Sequence, residues 1–437
     1  MELFMTKITF LGACREIGRS GVLVESKHGE KCLLDYGIRF YGKERLPLEA
    51  DLSGLKAVAV SHCHVDHSGA LPYINMNYDV PILTNPITFD ISKILIKDSI
   101  RVSDYYYPYG YGEVNRMMSN GYFLNNGVKK RIGNNFYITF YNAGHIPGSV
   151  MILVEVDGKR ILYTGDYNIH ETNLINPATS KSIPEVDTVI TESTYALREH
   201  PPREELEKDF VERVINIIDN GGKVLIPAFA VARSQEVLMI IQKYGYQGKL
   251  YLDGLARKVS EIYLQNPNYL RNRKRLKKAI KKAKFVSKRS RSKIKNKNGV
   301  IVSPSGMLKG GPSINFVKSF IKDPKAAIYV VGYQVEGTPG RKLLDEGIFE
   351  YYNNKKGKKK PTIRMKAKCD TKYYDFSGHT SGTKLHSFIE DLSFQNGNRA
   401  VFCIHGDPKA TTTLAKDLTE NLGYMAVAPE IGETYRI

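Results

Sequence analysis

Residues 61–67 read Ser-His-Cys-His-Val-Asp-His and directly follow the apolar run LKAVAV, which predicts a buried strand. Three of the ten histidines in the chain lie within positions 62–67. This spacing predicts two metal-binding pairs, His62 with His64 and Asp66 with His67. Imidazole and carboxylate ligands together are typical of a hydrolytic zinc site. The alternative is a chance cluster of surface histidines, and four ligand-type residues in six positions argue against it.

Other ligand-type residues close further strand-like segments. His145 follows FYITFYNAG, Asp166 follows RILYTG and His405 follows AVFCI. Strands that end in this way place their side chains at one edge of a sheet, where α/β proteins often build binding sites. We expect Asp166 to bridge two metals through its two carboxylate oxygens. We expect Asp35, in LLDYG, to hold a ligand by a hydrogen bond, the alternative being an ordinary turn aspartate.

The charge of the chain is strongly positive. Its 437 residues include 64 Lys and Arg against 45 Asp and Glu, a formal net charge of +19. Such proteins tend to meet polyanions, although a lysine-rich composition without a binding role would look the same. Residues 271–297 contain no acid, and Lys and Arg recur on all sides of a predicted helix there. This run predicts contacts with RNA phosphates, the alternative being a solvated surface.

Segments that would direct the chain to a membrane or out of the cell are not expected. The sequence contains no run of 18 apolar residues, and its N-terminus does not resemble a signal peptide. The five cysteines are scattered singly and form no CxxC pair. A reducing, cytoplasmic location without a membrane partner is therefore the expectation.

The order of elements predicts an α/β protein with two domains. The first 200 residues alternate short apolar runs with Gly, Asp and Pro. From about residue 201, strands alternate with longer helices, as in REELEKDFVERVINIIDNGG and KVLIPAFAVARSQEVLMIIQKYG. A mostly parallel sheet is predicted for this second part.

The motifs resemble those of a known family. HCHVDH, His145, Asp166 and Asp35 are similar to the motifs of the metallo-β-lactamase superfamily. Glu192 in VITESTY, His379 in FSGHTSG and His405 in CIHGD resemble the three motifs of its β-CASP branch. The resemblance covers nearly the whole chain. It is nearest to archaeal homologues of the nuclease subunit of the cleavage and polyadenylation specificity factor, with RNase J as the next relative.

The resemblance implies a fold and an activity. The fold would be an αβ/βα sandwich formed by residues 1–198 and 366–437, with an α/β β-CASP domain inserted at 199–365. The activity would be zinc-dependent, endonucleolytic hydrolysis of RNA phosphodiester bonds in RNA processing or decay, with two Zn²⁺ per chain. The implied metal ligands are His62, His64, Asp66, His67, His145, Asp166 and His405.

Catalytic and RNA-binding roles are expected for a second set of residues. His379 would donate a proton to the leaving oxygen, Glu192 would orient it or a metal ligand, and Asp66 would act with the metals. We also expect RNA phosphate contacts. Their candidates are Ser305 in the glycine-rich segment SPSGMLKGGPS, Arg233 and Arg341.

Several alternatives stay open at this point. FSGHTSG has a form that is also found in RNase J, so endonuclease and 5′–3′ exonuclease activities are not separated. A small-molecule metallo-hydrolase is less favoured, because such a substrate needs neither the insert nor the positive charge. A non-catalytic RNA-binding subunit is disfavoured because all the ligands are present. Neither a homodimer nor membership of an RNA-processing complex is decided by the sequence.

Overall fold

The structure is a computed structural model, and three large β-sheets with flanking helices make up most of it. No helix among the described residues is long and apolar enough to cross a membrane. The predicted α/β class is confirmed. The described residues are 5–103, 105–352, 354–355, 358–359, 363–395 and 399–437.

The first sheet has seven strands in the order β24-β1-β2-β3-β4-β5-β6. Strands β1 to β3 form an antiparallel meander, and β3 to β6 run parallel. Helices α1 to α4 follow its strands. The strands are Lys7–Gly12 (β1), Gly21–Glu25 (β2), Lys31–Leu34 (β3), Leu55–Ala59 (β4), Ile82–Thr84 (β5), Gly121–Phe123 (β6) and Thr434–Arg436 (β24), and the helices are Val65–Ser68 (α1), Leu71–Asn77 (α2), Pro86–Val102 (α3) and Tyr111–Met117 (α4).

The second sheet also has seven strands, in the order β23-β22-β11-β10-β9-β8-β7. Helices α12 and α13 pack through Leu385, Phe388 and Leu414 on its outer face. The strands are Lys130–Gly133 (β7), Phe136–Asn142 (β8), Val150–Val156 (β9), Lys159–Tyr163 (β10), Thr188–Glu192 (β11), Ala400–Ile404 (β22) and Met425–Val427 (β23), and the helices are Gly382–Glu390 (α12) and Pro408–Leu422 (α13).

A shared apolar core joins these two sheets. Phe10 of β1 lies 5.1 Å, ring centre to ring centre, from Phe402 of β22. Alternate residues of both sheets are buried in this layer, as the period-two pattern of their strands requires. The two sheets with helices on both outer faces form the predicted αβ/βα sandwich, which is confirmed.

The third sheet is parallel throughout, in the order β14-β13-β15-β12-β16-β21. On β12, Val224 and Ile226 face one helical layer and Leu225 faces the other, so both faces are buried. Its strands are Lys223–Pro227 (β12), Leu250–Asp253 (β13), Lys284–Val286 (β14), Gly299–Ser303 (β15), Ala326–Val331 (β16) and Asp370–Tyr374 (β21).

Among the described residues of this part of the chain, seven helices and two short strand pairs complete the structure. The pairs are β17 with β20 and β18 with β19. The elements are Arg203–Asp219 (α5), Arg233–Lys243 (α6), Ala256–Gln265 (α7), Arg273–Lys282 (α8), Arg291–Ile294 (α9), Ser313–Phe320 (α10), Pro339–Glu346 (α11), Ile348–Tyr351 (β17), Asn354–Lys355 (β18), Lys358–Lys359 (β19) and Ile363–Lys366 (β20).

The basic helix α8 differs from the sequence-based expectation. Lys and Arg were expected on all its sides, but Leu276, Ala279 and Ile280 are buried against the neighbouring helices. The spacing i, i+3, i+4 of these three residues defines one apolar stripe. The lysines therefore cover the remaining, solvent-facing surface.

The chain leaves the third sheet after β21, and the segment that follows brings several strand ends of the sandwich and the insert together. After β21 the chain crosses from the third sheet back to the second, where β22 pairs with β11 and β23. The segment between β21 and α12 contains residues 375–381. Because β4, β10, β11 and β22 all end near this crossing, the residues that follow them meet there.

Candidate metal centre

The segment 61–67 follows β4 and continues into α1. His62 and His67 are fully buried, and the φ and ψ angles of His64, −60° and 144°, make it the extended residue before the helix. Asp66 and His67 lie in the single turn of α1, so their side chains leave the backbone in a different direction from those of His62 and His64. The local backbone therefore divides the motif into two pairs.

The first pair meets His145 and Asp166. His64 Nδ1 lies 3.1 Å from His62 Nε2 and 3.2 Å from His145 Nε2. Asp166 Oδ2 lies 3.6 Å from His62 Nε2 and 3.8 Å from His145 Nε2. These four side chains converge on one small volume with their nitrogen and oxygen atoms directed inward.

The second pair meets His405 and the other oxygen of Asp166. His405 Nε2 lies 3.3 Å from His67 Nε2 and 3.6 Å from Asp66 Oδ2. Asp166 Oδ1 lies 3.2 Å from His405 Nδ1 and 3.4 Å from His67 Nε2. Asp166 therefore stands between the two groups, with one oxygen toward each.

The donor set fits a metal cofactor. Burial lowers the pKa of His62 and His145 well below the usual value for histidine, and that of His64 to about 4. These imidazoles are therefore neutral at pH 7, the form that binds a metal. The Oδ1 atom of Asp166 is buried without a hydrogen bond among the described residues. A buried carboxylate oxygen in this state calls for a cation.

Asp35 supports the metal-binding cluster through hydrogen bonds to neighbouring residues. Its carboxylate accepts hydrogen bonds from the Ser61 backbone N–H and Oγ, both at 2.7 Å, and from Tyr163 Oη at 2.8 Å. Its Oδ2 also lies 2.7 Å from His67 Nδ1. Burial opposes a charged His67, but Asp166 and Asp35 outweigh it and raise the pKa of this histidine. The bond to Nδ1 leaves Nε2 directed at the cluster.

Ser61 and Tyr163 were not among the residues singled out in the sequence. Each lies within three positions of a predicted ligand, Ser61 before His62 and Tyr163 before Asp166. The available signal was a polar residue close to a ligand, at the end of β10 for Tyr163 and in the loop after β4 for Ser61.

His379 and Glu192 form a second pair beside the cluster. His379 Nδ1 lies 2.7 Å from Glu192 Oε2, and Glu192 Oε1 accepts the Tyr167 backbone N–H at 2.7 Å. The ring centre of His379 is 4.5 Å from that of His145. Burial lowers the pKa of His379, but Glu192 and Asp166 outweigh it, so the net shift is upward. The His379 side chain keeps 16% exposure, whereas Glu192 keeps 1%.

Backbone contacts fix the segment that carries His379. The Gly378 carbonyl oxygen lies 2.7 Å from His145 Nδ1. A Cβ atom at Gly378 would lie only 2.8 Å from the His145 carbonyl oxygen and would also strike the Arg233 guanidinium, so this position has no room for a side chain. The Arg233 guanidinium donates to the Phe376 carbonyl.

His200, which was not among the predicted site residues, also fixes the segment that carries His379. Its Nδ1 lies 2.8 Å from Asp375 Oδ2 and its Nε2 lies 3.0 Å from the His379 carbonyl oxygen. A single histidine 179 residues before His379 gives no local pattern, so the sequence carried no signal for this contact.

The three predicted RNA contacts lie outside the metal cluster. Arg233 is buried and faces Phe376 and Gly378 rather than open solvent. Arg341 is half-buried and pairs with Asp345 at 2.6 Å on α11. Ser305 is half-buried in the turn after β15, where its N–H donates to Ser313 Oγ at 3.0 Å. Their contacts with phosphate stay predictions.

Three family models match the chain. Residues 18–203 match the metallo-β-lactamase superfamily, 234–343 match the Beta-Casp domain, and 363–429 match a Zn-dependent metallo-hydrolase RNA specificity domain. The second segment lies within the third sheet and its helices. The third contains His379 and His405.

Curated relatives match over nearly the full length. The chain is 34% identical to a protein named RNase aCSPSF2 of Saccharolobus solfataricus, covering 98% of this chain and 84% of the relative. It is 34% identical to a probable RNase, MJ4, of Methanocaldococcus jannaschii, covering 99% and 100%. It is 33% identical to the transcription termination factor FttA of Pyrococcus horikoshii, covering 99% and 71%.

A solved structure shares the fold. A protein of unknown function from Enterococcus faecalis superposes with a TM-score of 0.60 at 13% identity, covering 99% of this chain and 100% of that one. The relatives, the three matched segments and the geometry of the cluster agree. The chain belongs to the β-CASP branch of the metallo-β-lactamase superfamily and carries the donor set for a metal cofactor.

Proposed function

We propose that this protein is a zinc-dependent ribonuclease that cuts RNA phosphodiester bonds internally. The observation that carries the proposal is the His379–Glu192 pair beside a cluster of seven ligand-type side chains. The cluster supplies a place for metals, and the pair supplies a partly exposed proton donor. Metal-assisted hydrolysis of a phosphodiester can use both.

Two zinc ions per chain are proposed, one in each group of ligands. His62, His64 and His145 would hold one, and Asp66, His67 and His405 the other, with Asp166 contributing to both. The predominance of imidazole favours zinc over magnesium or calcium, which prefer oxygen ligands. When bound, such metals provide a hydroxide nucleophile at neutral pH and stabilise negative charge on the phosphate.

His379, oriented by Glu192, would donate the proton that the leaving group needs. His379 would donate a proton from its Nε2 to the 3′ oxygen as the P–O bond breaks, because Nδ1 faces Glu192. Glu192 would keep the ring in that orientation and favour its charged form. Water attack with loss of the 3′ oxygen leaves a 5′ phosphate on the downstream fragment.

RNA is the proposed substrate for two reasons. The net charge of +19 favours a polyanion, and the solvent-facing lysines of α8 offer phosphate contacts that do not depend on sequence. In addition, two relatives are named as RNases, and residues 363–429 match an RNA specificity domain. Arg341 and Ser305 are proposed as further phosphate contacts. A small-molecule substrate would leave these features without a use.

Organisation and partners are also proposals. The sequence-based boundaries give the discontinuous metallo-β-lactamase domain residues 1–198 and 366–437 and the β-CASP insert residues 199–365, and we propose this arrangement with the second boundary moved to follow residue 374. Strand β21, at Asp370–Tyr374, still pairs within the third sheet, so the crossing itself follows residue 374. We also propose a cytoplasmic location, a homodimer and membership of an RNA-processing complex.

The experiment uses one RNA labelled separately at its 5′ and 3′ ends. Internal cleavage by the metal-loaded protein should release fragments of intermediate length from both labels at early times. A 5′–3′ exonuclease of the RNase J type would instead release the 5′ label as mononucleotide while the 3′-labelled chain shortens. Removal of metal by a chelator should abolish either pattern. Intact RNA with fully loaded protein would contradict the proposal.

A further inference from the structure

A short segment of the sandwich, residues 171–175, lies against the helices of the insert. Leu174 and Ile175 are buried in the apolar cluster of α5, α6, α7 and α8. Arg271, just before α8, holds the segment through its backbone and its side chain. Its N–H donates to the Leu174 carbonyl at 2.9 Å, and its guanidinium donates to the Thr172 carbonyl at 2.8 Å. This segment therefore docks the two parts of the chain on each other.

The side chain of Asn173, within this segment, contacts three helices of the insert. Its Nδ2 donates to Glu207 Oε1 of α5 at 2.9 Å and to Glu236 Oε1 of α6 at 3.0 Å. Its Oδ1 accepts from the Arg275 guanidinium of α8 at 2.9 Å, and its backbone N–H donates to Glu236 Oε1 at 3.0 Å. An amide suits this place, because it offers donors to the two acids and an acceptor to the cation. We call these four residues the clamp.

Paired charges fix the two acids of the clamp. Glu207 and Glu236 are both buried. Arg203 donates to the two carboxylates, at 3.0 Å and 2.7 Å, and Lys243 donates to Glu207 at 2.8 Å. Burial raises the pKa of Glu207, but Lys243 and Arg203 outweigh it, so the pKa falls and the carboxylate stays charged. Asn173 is therefore held by charge-assisted hydrogen bonds, which are stronger than bonds between neutral groups.

The same stretch of backbone begins at the metal centre. Asp166, which faces both groups of ligands, lies seven residues before Asn173. The next residue, Tyr167, donates its N–H to Glu192 at 2.7 Å, and its carbonyl accepts the Thr380 N–H at 2.8 Å. One short stretch of chain therefore contacts the metal cluster and the catalytic pair's supports at one end and the insert at the other.

We propose that Asn173 is a positioning residue for RNA cleavage, which through the clamp holds the insert and its basic helix α8 at a fixed place relative to the metal centre. This inference rests on the proposed ribonuclease function. A phosphate held by α8 and the scissile phosphate belong to one RNA chain, so a shift of the insert moves the scissile bond away from the metals. A misplacement of about 1 Å can slow an enzymatic reaction about 10²-fold. Asn173 is buried and acts through the insert rather than by touching the substrate.

The test compares Asn173→Ala with the unaltered metal-loaded protein in metal content, in Kd for a labelled RNA, and in kcat and KM for its cleavage. Asn173→Ala should lower kcat about 10-fold to 100-fold, while metal content, Kd and KM stay close to their normal values. Arg203 and Lys243 still pair with the buried acids in this variant, so the fold should persist. Asn126→Ala, at an exposed asparagine of the sandwich, is the matched control and should cleave normally.

A second variant and a second measurement examine the clamp itself. Arg275→Gln removes the guanidinium that reaches Asn173 without touching the buried acids, so it should also lower kcat. The double variant should be no slower than Asn173→Ala, because the two residues act through one contact. Backbone amides of residues 171–175 and of α8 should exchange hydrogen faster in Asn173→Ala. If Asn173→Ala does not fold, kcat of Arg275→Gln decides the question.

The outcomes distinguish this inference from the function on which it rests. Normal kcat for Asn173→Ala, in a protein that cleaves RNA, would overturn the positioning role and leave the ribonuclease function intact. Loss of a metal would also overturn it, because the clamp would then support Asp166 rather than place the insert. A higher KM and Kd with normal kcat would contradict it in favour of a role in RNA binding. A wild-type protein that takes up metal and leaves RNA intact would remove both proposals before any variant is compared.

Discussion

His379 and Glu192 are 187 residues apart in the chain, and their side chains meet at 2.7 Å. Since Glu192 holds Nδ1, the free Nε2 is the atom that can reach a substrate. Replacement of His379 by alanine should lower the cleavage rate about 10²-fold to 10⁴-fold, the usual contribution of a general acid. Metal content and RNA affinity should stay near normal, as measured by elemental analysis, single-turnover kinetics and binding.

A sulfur substitution tests the same residue independently. If the leaving 3′ oxygen is replaced by sulfur, the leaving thiolate needs no proton, and the defect of His379→Ala should largely disappear. Loss of a metal in this variant would make His379 a ligand rather than an acid. An unchanged rate on normal RNA would mean that another group supplies the proton.

His200 is expected to act through His379. Its two contacts, with Asp375 and the His379 carbonyl, fix the backbone that presents the catalytic ring. His200→Ala should lower kcat about 10-fold with little change in KM, because a small displacement of a catalytic group is costly. His28→Ala, at an exposed histidine, is the matched control. If His200→Ala slowed the normal and sulfur-substituted substrates equally, a role through His379 would be wrong.

Asp66 tests the division of the ligands into two groups. It lies with His67 and His405 and apart from His62, His64 and His145. Asp66→Ala should therefore reduce the metal content from two per chain toward one, without change in the circular dichroism spectrum. Loss of both metals, or retention of both at full affinity, would contradict the proposed grouping.

The ligand positions could be predicted because their signal is local. HCHVDH concentrates four donors in six residues, and His145, Asp166 and His405 each close a strand. Contacts such as His200 with Asp375 could not be predicted, because they depend on where distant loops meet. Arg233 shows the same limit, because its contact with the Phe376 carbonyl joins residues far apart in the chain and could not be predicted from the sequence.

Helix α8 has one buried apolar face, which its sequence does not make obvious. Its apolar stripe of Leu276, Ala279 and Ile280 was obscured in the sequence by ten residues that are mostly Lys and Arg. Burial of this stripe leaves Lys274 and Lys277 exposed on the opposite surface. The prediction of phosphate contacts therefore applies to one face of the helix rather than to its whole circumference.

The lysines of this face should control the salt dependence of RNA binding. Changing Lys274, Lys277 and Lys281 to glutamine should weaken binding and reduce the log–log salt slope by about 0.7 for each RNA phosphate that the protein no longer neutralises. The same change at three exposed lysines elsewhere, Lys27, Lys129 and Lys416, is the charge-matched control. Equal effects of the two triple variants would mean that only the net charge matters.

Strands and helices with a clear period were predicted well. REELEKDFVERVINIIDNGG contains helix α5, Arg203–Asp219, and KVLIPAFAVARSQEVLMIIQKYG forms β12 and α6 around a turn. Strand order was not predictable, because hydrophobic patterning shows which face is buried but not which strand lies beside it. Strand β21 joins the third sheet although the sequence suggested a return to the first domain by that point.

At the scale of the whole molecule, the donors come from both ends of the chain. His62 to Asp166 lie in the first part, and His405 arrives only after the third sheet is complete. His379 lies on the crossing between them. The centre is therefore complete only when β22 has paired with β11 and the chain has crossed back from the third sheet with His379.

The central claim is that metals held by this cluster make the chain a ribonuclease. The most direct measurement titrates zinc into metal-free protein and records the bound metal per chain and the RNA cleavage rate on the same samples. Cleavage should appear as bound zinc approaches two per chain, and His379→Ala should bind the same zinc while cleaving at least about 10²-fold more slowly. Full zinc occupancy with intact RNA, or cleavage that persists without metal, would contradict it.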